Sequence, residues 1–408
     1  MLTWISPENF KGFANGDIEI GLSELTLLVG ANASGKSNLI ETIRLFQGLA
    51  AGFSIQEITQ GVQRVGREVW PGLRGGSAEL VHRGGNAIQP QAGFSIGGLS
   101  WTYGLNLTRW GQGTHGPLEL GEEWLLNETT GQGAQITNDL NGDGYFTVVD
   151  NDYKPTGTPD HFKFEGRRSV LLVPPFPQEF AASAPDPTAL RKFLLSSQTV
   201  DLMTARMREY SQPGARVLGP EGENLSAVLR NLVDQGRKQD LLDWLSELCA
   251  PTVVDLEFIE VPTTGDTLFL LVEDGGSKIS AQAASDGTLR FLGLIAALWS
   301  MPEGTLICLE EIERGLHPAR IDLLVEVLIQ AVRARGLQVL ATTHSPQVLY
   351  SLGQRAPELL GTAVVLGRTP ESTGSVARRL RDLPAFDDVL ARRGIEHLFT
   401  TRWLDRAL

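Results

Sequence analysis

The chain is poor in several things, and each shortage removes a class of function. Its 408 residues include only two cysteines, Cys249 and Cys308, which make neither a disulfide framework nor a metal-spaced cluster. Cys308 stands inside an apolar run, where a small core residue is expected. No apolar stretch approaches the roughly 20 residues needed to cross a bilayer, so no membrane partner is expected. The opening MLTWISPENFKGF has no signal-peptide pattern, and with so little cysteine this predicts a reducing, cytoplasmic setting. Basic residues are in deficit, 35 Lys and Arg against 48 Asp and Glu, for a net charge of −13. That excludes a surface coated in positive charge for gripping nucleic acid. Candidates for a local basic groove are thin: Arg64 with Arg67, Arg167 with Arg168, and Arg206 with Arg208. Each reads first as a solvated face. Internal repeats, coiled-coil heptads and a long biased tail are also missing.

What remains, 42% hydrophobic and 20% charged, is a globular composition large enough for one big domain or two to three ordinary ones. Near the start, ELTLLVG reads as a short β run, and Leu39, Ile43 and Phe46 then recur at helical spacing. From about Gly72 to Phe164, short alternating runs broken by Gly, Asn, Asp and Pro predict a β-meander. From about Asp186 to Leu248 the pattern turns helical. The last third alternates again: strand TLFLLVE, a helix from Ser285, strand TLICL, a helix over Ala319 to Arg335, and strand QVLATT. Pro318 suits the first turn of that last helix and Gly336 its end. Alternating β and α at both ends predicts a single α/β sheet drawn from distant parts of the chain. The expected division is an N-terminal lobe over 1–165, a helical insertion or lid over 166–250, and a C-terminal lobe over 251–408.

Two motifs carry the chemistry. Gly30 to Ser37, GANASGKS, fits G-x-x-x-x-G-K-[ST] between a strand and a helix. The residues expected at ATP are Gly30, Ala31, Asn32, Ala33, Ser34, Gly35, Lys36, Ser37 and Asn38. Backbone N–H groups from Asn32 to Lys36 can wrap a triphosphate at a helix N-terminus. Lys36 reaches the β- and γ-phosphates, and the Ser37 hydroxyl binds Mg²⁺. The second motif is ICLEEIERGLHP, Ile307 to Pro318, in which an apolar strand runs into Glu310 and Glu311. Carboxylates are costly to bury unpartnered, but a P-loop protein needs a second strand that delivers an acid to Mg²⁺. Glu310 is the expected metal-side acid, and Glu311 is placed to polarise the attacking water.

With these motifs in view, the chain resembles ABC-type ATPase heads of the SMC, RecF and OLD kind, especially their compact AAA relatives. The match is carried by NFKGF with LTLLVGANASGKSNLIE, by GENLSAVLRNL, by SDGTLRFLGLIAAL, and by LICLEEIERGLHP with VLATTHSPQVL. The resemblance implies a P-loop fold of ABC/SMC-head type with a β-meander lobe and a small helical insertion. It also implies that Ser285, Gly287 and Thr288, in SDGT, form a signature that caps the γ-phosphate held by the opposite subunit of an ATP-dependent homodimer. Asp286 reads as a helix cap. His344 in TTHSP matches the switch histidine, and Glu313 to Pro318 the D-loop. The chain departs from the pattern in having Glu310 where many heads have Asp. It also has no LSGGQ of transporters, no long coiled coil, and no Toprim-like acidic cluster after TTHSP. The implied function is an Mg²⁺-dependent ATPase switch. One use lies in DNA repair or anti-phage defence beside a separate effector or nuclease, with DNA a further possible partner. The others are a scaffold that leaves DNA alone and, disfavoured by the missing LSGGQ, an accessory transport ATPase. Asp139 to Asp150 has EF-hand spacing but lacks helical flanks, so a hairpin turn is expected there rather than a calcium site.

Overall fold

Every residue of the strand Leu25–Val29 is buried, the mark of a central strand covered on both faces. The computed structural model describes residues 1–408 except 15, 17, 65–66, 110–115, 139–142, 151, 153, 155–161, 166–168, 173–185, 249–251, 370–371 and 401–407. In it, Leu25–Val29 lies between Gln338–Thr343 and Val364–Gly367, parallel to both. The six-stranded sheet runs in the order Gln198–Val200, Leu306–Leu309, Gln338–Thr343, Leu25–Val29, Val364–Gly367, Val376–Arg379. The first five strands are parallel and the last is antiparallel. The P-loop strand and the acid-bearing strand therefore share one sheet, as the βα alternation predicts.

The period of two sends the faces of this sheet into different cores. Leu25, Leu27 and Val29 pack in a cluster with Phe291 and Leu324, from the helices Asp286–Ser300 and Ile321–Arg335. Leu28, Cys308 and Leu340 join the other cluster, with Ile40, Ile43 and Phe46 of the helix Lys36–Ala51. Burial pushes the Cys308 thiol up to about 12, so it is an inert packing group. The far wall of this second core is a nine-stranded antiparallel sheet. Phe46 meets Tyr103 of that sheet edge-on, with ring centroids 5.2 Å apart. The helix that opens the P-loop is thus held between two sheets.

The nine-stranded sheet contains the expected meander, from Gln91–Ile96 through Leu99–Arg109, Leu118–Asn127 and Gln132–Asn138 to Asp143–Val149. It also takes in Leu2–Ser6, paired antiparallel with Gln91–Ile96, which local pattern did not reveal. Gln132–Asn138 and Asp143–Val149 pair antiparallel down to Asn138 opposite Gly144. The EF-hand-like run therefore follows one strand and itself contains the next, and its first residues, 139–142, lie outside the described residues, as do Arg167, Arg168 and Cys249. Inside this lobe Glu123 is fully buried. Its carboxylate accepts from Tyr103 Oη at 2.5 Å, Ser169 Oγ at 2.6 Å and Val170 N at 2.8 Å. Burial raises the Glu123 carboxyl to about 7, against these three hydrogen bonds, which lower it.

The region expected to be helical holds Thr188–Ser196, Leu225–Asp234 and Lys238–Leu248. It also supplies Gln198–Val200, the edge strand beside the acid-bearing one. Three residues are too few to show a period.

Candidate active site

The turn after Leu25–Val29 is built for close approach. Gly35 has φ 109°, and a Cβ there would come within 2.9 Å of Ser375 Oγ, so glycine is required on both counts. The helix Lys36–Ala51 starts at once, with Gly35 as its N-cap. Lys36 Nζ donates to Gly30 O at 2.7 Å and to Ala31 O at 2.8 Å. Burial pushes the Lys36 ammonium below its ordinary value, while Glu313 and Glu311 pull it back up.

The two sequence motifs meet here. Ser37 Oγ donates to Glu310 Oε2 at 2.8 Å, across 273 residues of chain. Glu310 and Glu311 then part company. The Glu310 side chain is 9% exposed and pairs with Arg74 Nη2 at 2.8 Å. Glu311 is 43% exposed and sits in the left-handed region at φ 48°, a strained setting for a residue with a Cβ. Thr342 holds it there: Thr342 Oγ1 accepts the Glu311 N–H at 2.8 Å, and Thr342 O accepts that of Ile312 at 3.2 Å. His344 Nε2 lies 3.9 Å from Glu311 Oε1. Its Nδ1 is 3.2 Å from Gly30 O, and its backbone N–H donates to Glu313 Oε1 at 2.7 Å.

A cavity of about 960 Å³ joins these groups, with Asn32 to Asn38, Glu311, Thr342 and His344 in its lining. Ser285, Gly287 and Thr288 do not line it. They stand elsewhere on the same chain, at the exposed start of Asp286–Ser300. Ser285 is the true N-cap, accepting from Thr288 N at 3.1 Å. Asp286, expected as the cap, is instead the first helical residue, and its carboxylate pairs with Arg208 at 2.9 Å. Ser285 takes the cap because its extended backbone aims the hydroxyl back at the turn. A Cβ on Gly287 would sit 3.0 Å from Gly315 O, so the SDGT turn and the Glu313 to Pro318 loop are packed together.

Sequence reasoning missed the residues that join distant segments at the site. Arg74, which pairs with Glu310, comes from a loop 236 residues away. Its backbone N–H is held at 2.9 Å by Glu41 Oε1. Glu41, 2% exposed on the P-loop helix, also pairs with Lys11, and Lys11 Nζ reaches Arg74 O at 2.7 Å. Burial alone would lower the Arg74 guanidinium, but Glu310 beside it raises it overall. Among the described residues no cluster of three His, Cys, Asp or Glu side chains is placed to hold a metal ion. The Ser37 hydroxyl and Glu310 carboxylate are nonetheless the hard oxygen donors that Mg²⁺ takes alongside water and phosphate.

A profile of the family described as "AAA domain, putative AbiEii toxin, Type IV TA system" matches residues 25–128 and 152–349. The chain belongs to that family. This AAA protein is an ATPase with a P-loop and an α/β fold. A curated relative, an ATP/GTP phosphatase of Helicobacter pylori (strain ATCC 700392 / 26695), is 23% identical over 373 residues, covering 87% of the AAA protein and 88% of the relative. Among solved structures, an SMC head bound to the C-winged helix domain of ScpA aligns with TM-score 0.49 at 13% identity, over 93% of this chain and 98% of that one. The SMC head domain from Thermotoga maritima aligns at 0.41 and 14% identity, over 93% and 98%. At these scores the likenesses add nothing to the family assignment.

Proposed function

We propose that this AAA protein is an Mg²⁺-dependent ATP hydrolase whose nucleotide state switches a symmetric dimer. The Ser37–Glu310 hydrogen bond carries the reading, because it joins both halves of a nucleotide site from segments 273 residues apart. Backbone N–H groups of Asn32 to Lys36 wrap the phosphates, with Gly30, Ala31 and Asn38 at the margins, and Lys36 contacts the β- and γ-phosphates. Ser37 and Glu310 would hold Mg²⁺, which when bound neutralises charge on the phosphate oxygens. Burial of Glu310 and exposure of Glu311 support separate roles, one toward the metal and one toward the attacking water. His344, beside Glu311, senses the γ-phosphate. Ser285, Gly287 and Thr288 lie off the cavity of their own chain, which supports their use on a partner's nucleotide. A twofold pair then completes both sites at once. The lobes 1–165 and 251–408 would form the ATPase, with 166–250 as its lid.

For biological use, the missing LSGGQ favours action beside a separate effector, in anti-phage defence or DNA repair, over transport. One observation favours the scaffold reading, in which DNA is not bound. Arg206 is spent on Glu221 at 3.1 Å and Arg208 on Asp286 at 2.9 Å. The test of the catalytic reading is a pair of variants assayed for ATP binding and phosphate release. Lys36→Ala should abolish binding, whereas Glu311→Gln should keep binding and lose hydrolysis. Wild-type turnover by Glu311→Gln would remove Glu311 from the role of base.

A further inference from the structure

We propose that His82 reads the nucleotide base and selects adenine over guanine; the proposal rests on the nucleotide-site reading above. The cavity that holds the P-loop, Glu311 and His344 continues to Lys11, Gly12, His82, Arg83, Arg368 and Thr373. A triphosphate seated on the P-loop leaves its base to this second group. The volume, about 960 Å³, suits a ligand of nucleotide size.

Of these residues His82 is the one whose hydrogen-bonding sense is fixed by the fold. Its backbone N–H donates to Asn9 O at 2.7 Å, and the Lys11 N–H donates to Leu80 O at 2.7 Å. Phe10 and Val81 form an antiparallel bridge between them. The ring Nδ1 lies 2.9 Å from Lys11 O. A carbonyl oxygen only accepts, so Nδ1 carries the proton, and in the neutral ring Nε2 is left as an acceptor. An acceptor at the edge of a purine is met by the N6 amino group of adenine and opposed by O6 of guanine. A site built around one such bond rejects the analogue that cannot make it. The wall is set in advance, because Ser375 N also donates to Gly12 O at 2.7 Å, so little is lost to ordering when the base arrives.

The test compares kcat/KM for ATP, GTP and purine riboside triphosphate, which is ATP without the N6 amine. In the wild-type protein ATP should lead both by about tenfold, the worth of one hydrogen bond whose partner would otherwise be buried unpaired. His82→Ala should bring the ATP to GTP ratio toward one, mainly through KM, and His82→Arg, which can only donate, should turn it in favour of GTP. The wild-type comparison with purine riboside triphosphate needs no variant, so a folding defect at position 82 leaves the test intact. Equal use of the three nucleotides by the wild-type protein, or a ratio unmoved in both variants, overturns the assignment while leaving the ATPase reading in place. Failure of the wild-type protein to turn over any nucleotide, matching its Lys36→Ala variant, overturns the ATPase reading and this one with it.

Discussion

Thr342→Val is the sharpest probe of how the site is held together. Glu311 occupies the left-handed region at φ 48°, which for a residue with a Cβ costs roughly 1–2 kcal/mol. Its backbone N–H is answered by Thr342 Oγ1 at 2.8 Å, a bond of about 1 kcal/mol when made and one whose loss leaves a partly buried donor unpaired. Valine keeps the shape and the backbone bond from Ile312 N to Thr342 O, and removes only the hydroxyl. The strained conformation then loses its tether, and about 2 kcal/mol shifts Glu311 toward an ordinary backbone. That is roughly a 30-fold drop in the fraction of molecules with Glu311 poised. The expected result is a fall in kcat of about 10- to 30-fold, with ATP affinity, which rests on the P-loop, changed little. Phosphate release under saturating ATP and a separate nucleotide-binding titration measure the two quantities. A folded Thr342→Val protein with kcat within twofold of wild type would refute the idea that Thr342 poises the base.

Glu123 offers a test by pH. Its folded-state value of about 7 lies above the ordinary 4.5, so the folded protein keeps the proton between those values. The stabilisation is complete below pH 4.5 and is lost as pH climbs through 7, by up to about 3 kcal/mol. Glu123→Gln should flatten this decline in denaturant titrations from pH 5 to 8, and parallel curves for the two proteins would rule it out. Mixing a Lys36→Ala chain with a Ser285→Arg chain should restore part of the ATPase activity, since one P-loop and the opposite SDGT turn are intact in the mixed pair; no recovery in proven mixed dimers sinks the trans role of Ser285. The isolated protein should bind DNA weakly and with steep salt dependence at a net charge of −13, and tight binding at physiological salt would reveal a basic groove outside Arg206 and Arg208.

What the sequence disclosed follows the range of its interactions. Gly30 to Ser37 was legible because a phosphate-wrapping turn is written in consecutive residues, and the strand into Glu310 and Glu311 because four apolar positions precede a charge pair. The helix from Ser285 announced itself by its cap, although the serine, not Asp286, fills that place. Arg74 gave no sign. It lies in a glycine-flanked loop, and its meaning comes from a carboxylate 236 residues on. The strand Gln198–Val200 was hidden in a helical stretch, being too short for periodicity. Leu2–Ser6 belongs to the meander sheet only through pairing with Gln91–Ile96. Thr342 looked like the end of a strand, and nothing local reported that its hydroxyl holds a strained glutamate.

The placing of Leu25–Val29 between Gln338–Thr343 and Val364–Gly367 also sets a timetable for the nascent chain. The P-loop strand, apolar but for Thr26, leaves the ribosome with both of its neighbours still untranslated. His344 and the Gly30 carbonyl it faces are 314 residues apart, which at ~5–20 residues per second is about 15 to 60 s of synthesis. Through that interval the antiparallel sheet can form from contiguous hairpins, while the strand that anchors the nucleotide waits unpaired, a natural client for a holding chaperone. A nucleotide site that needs both Gly30 and His344 can be assembled only after the second of them has been made.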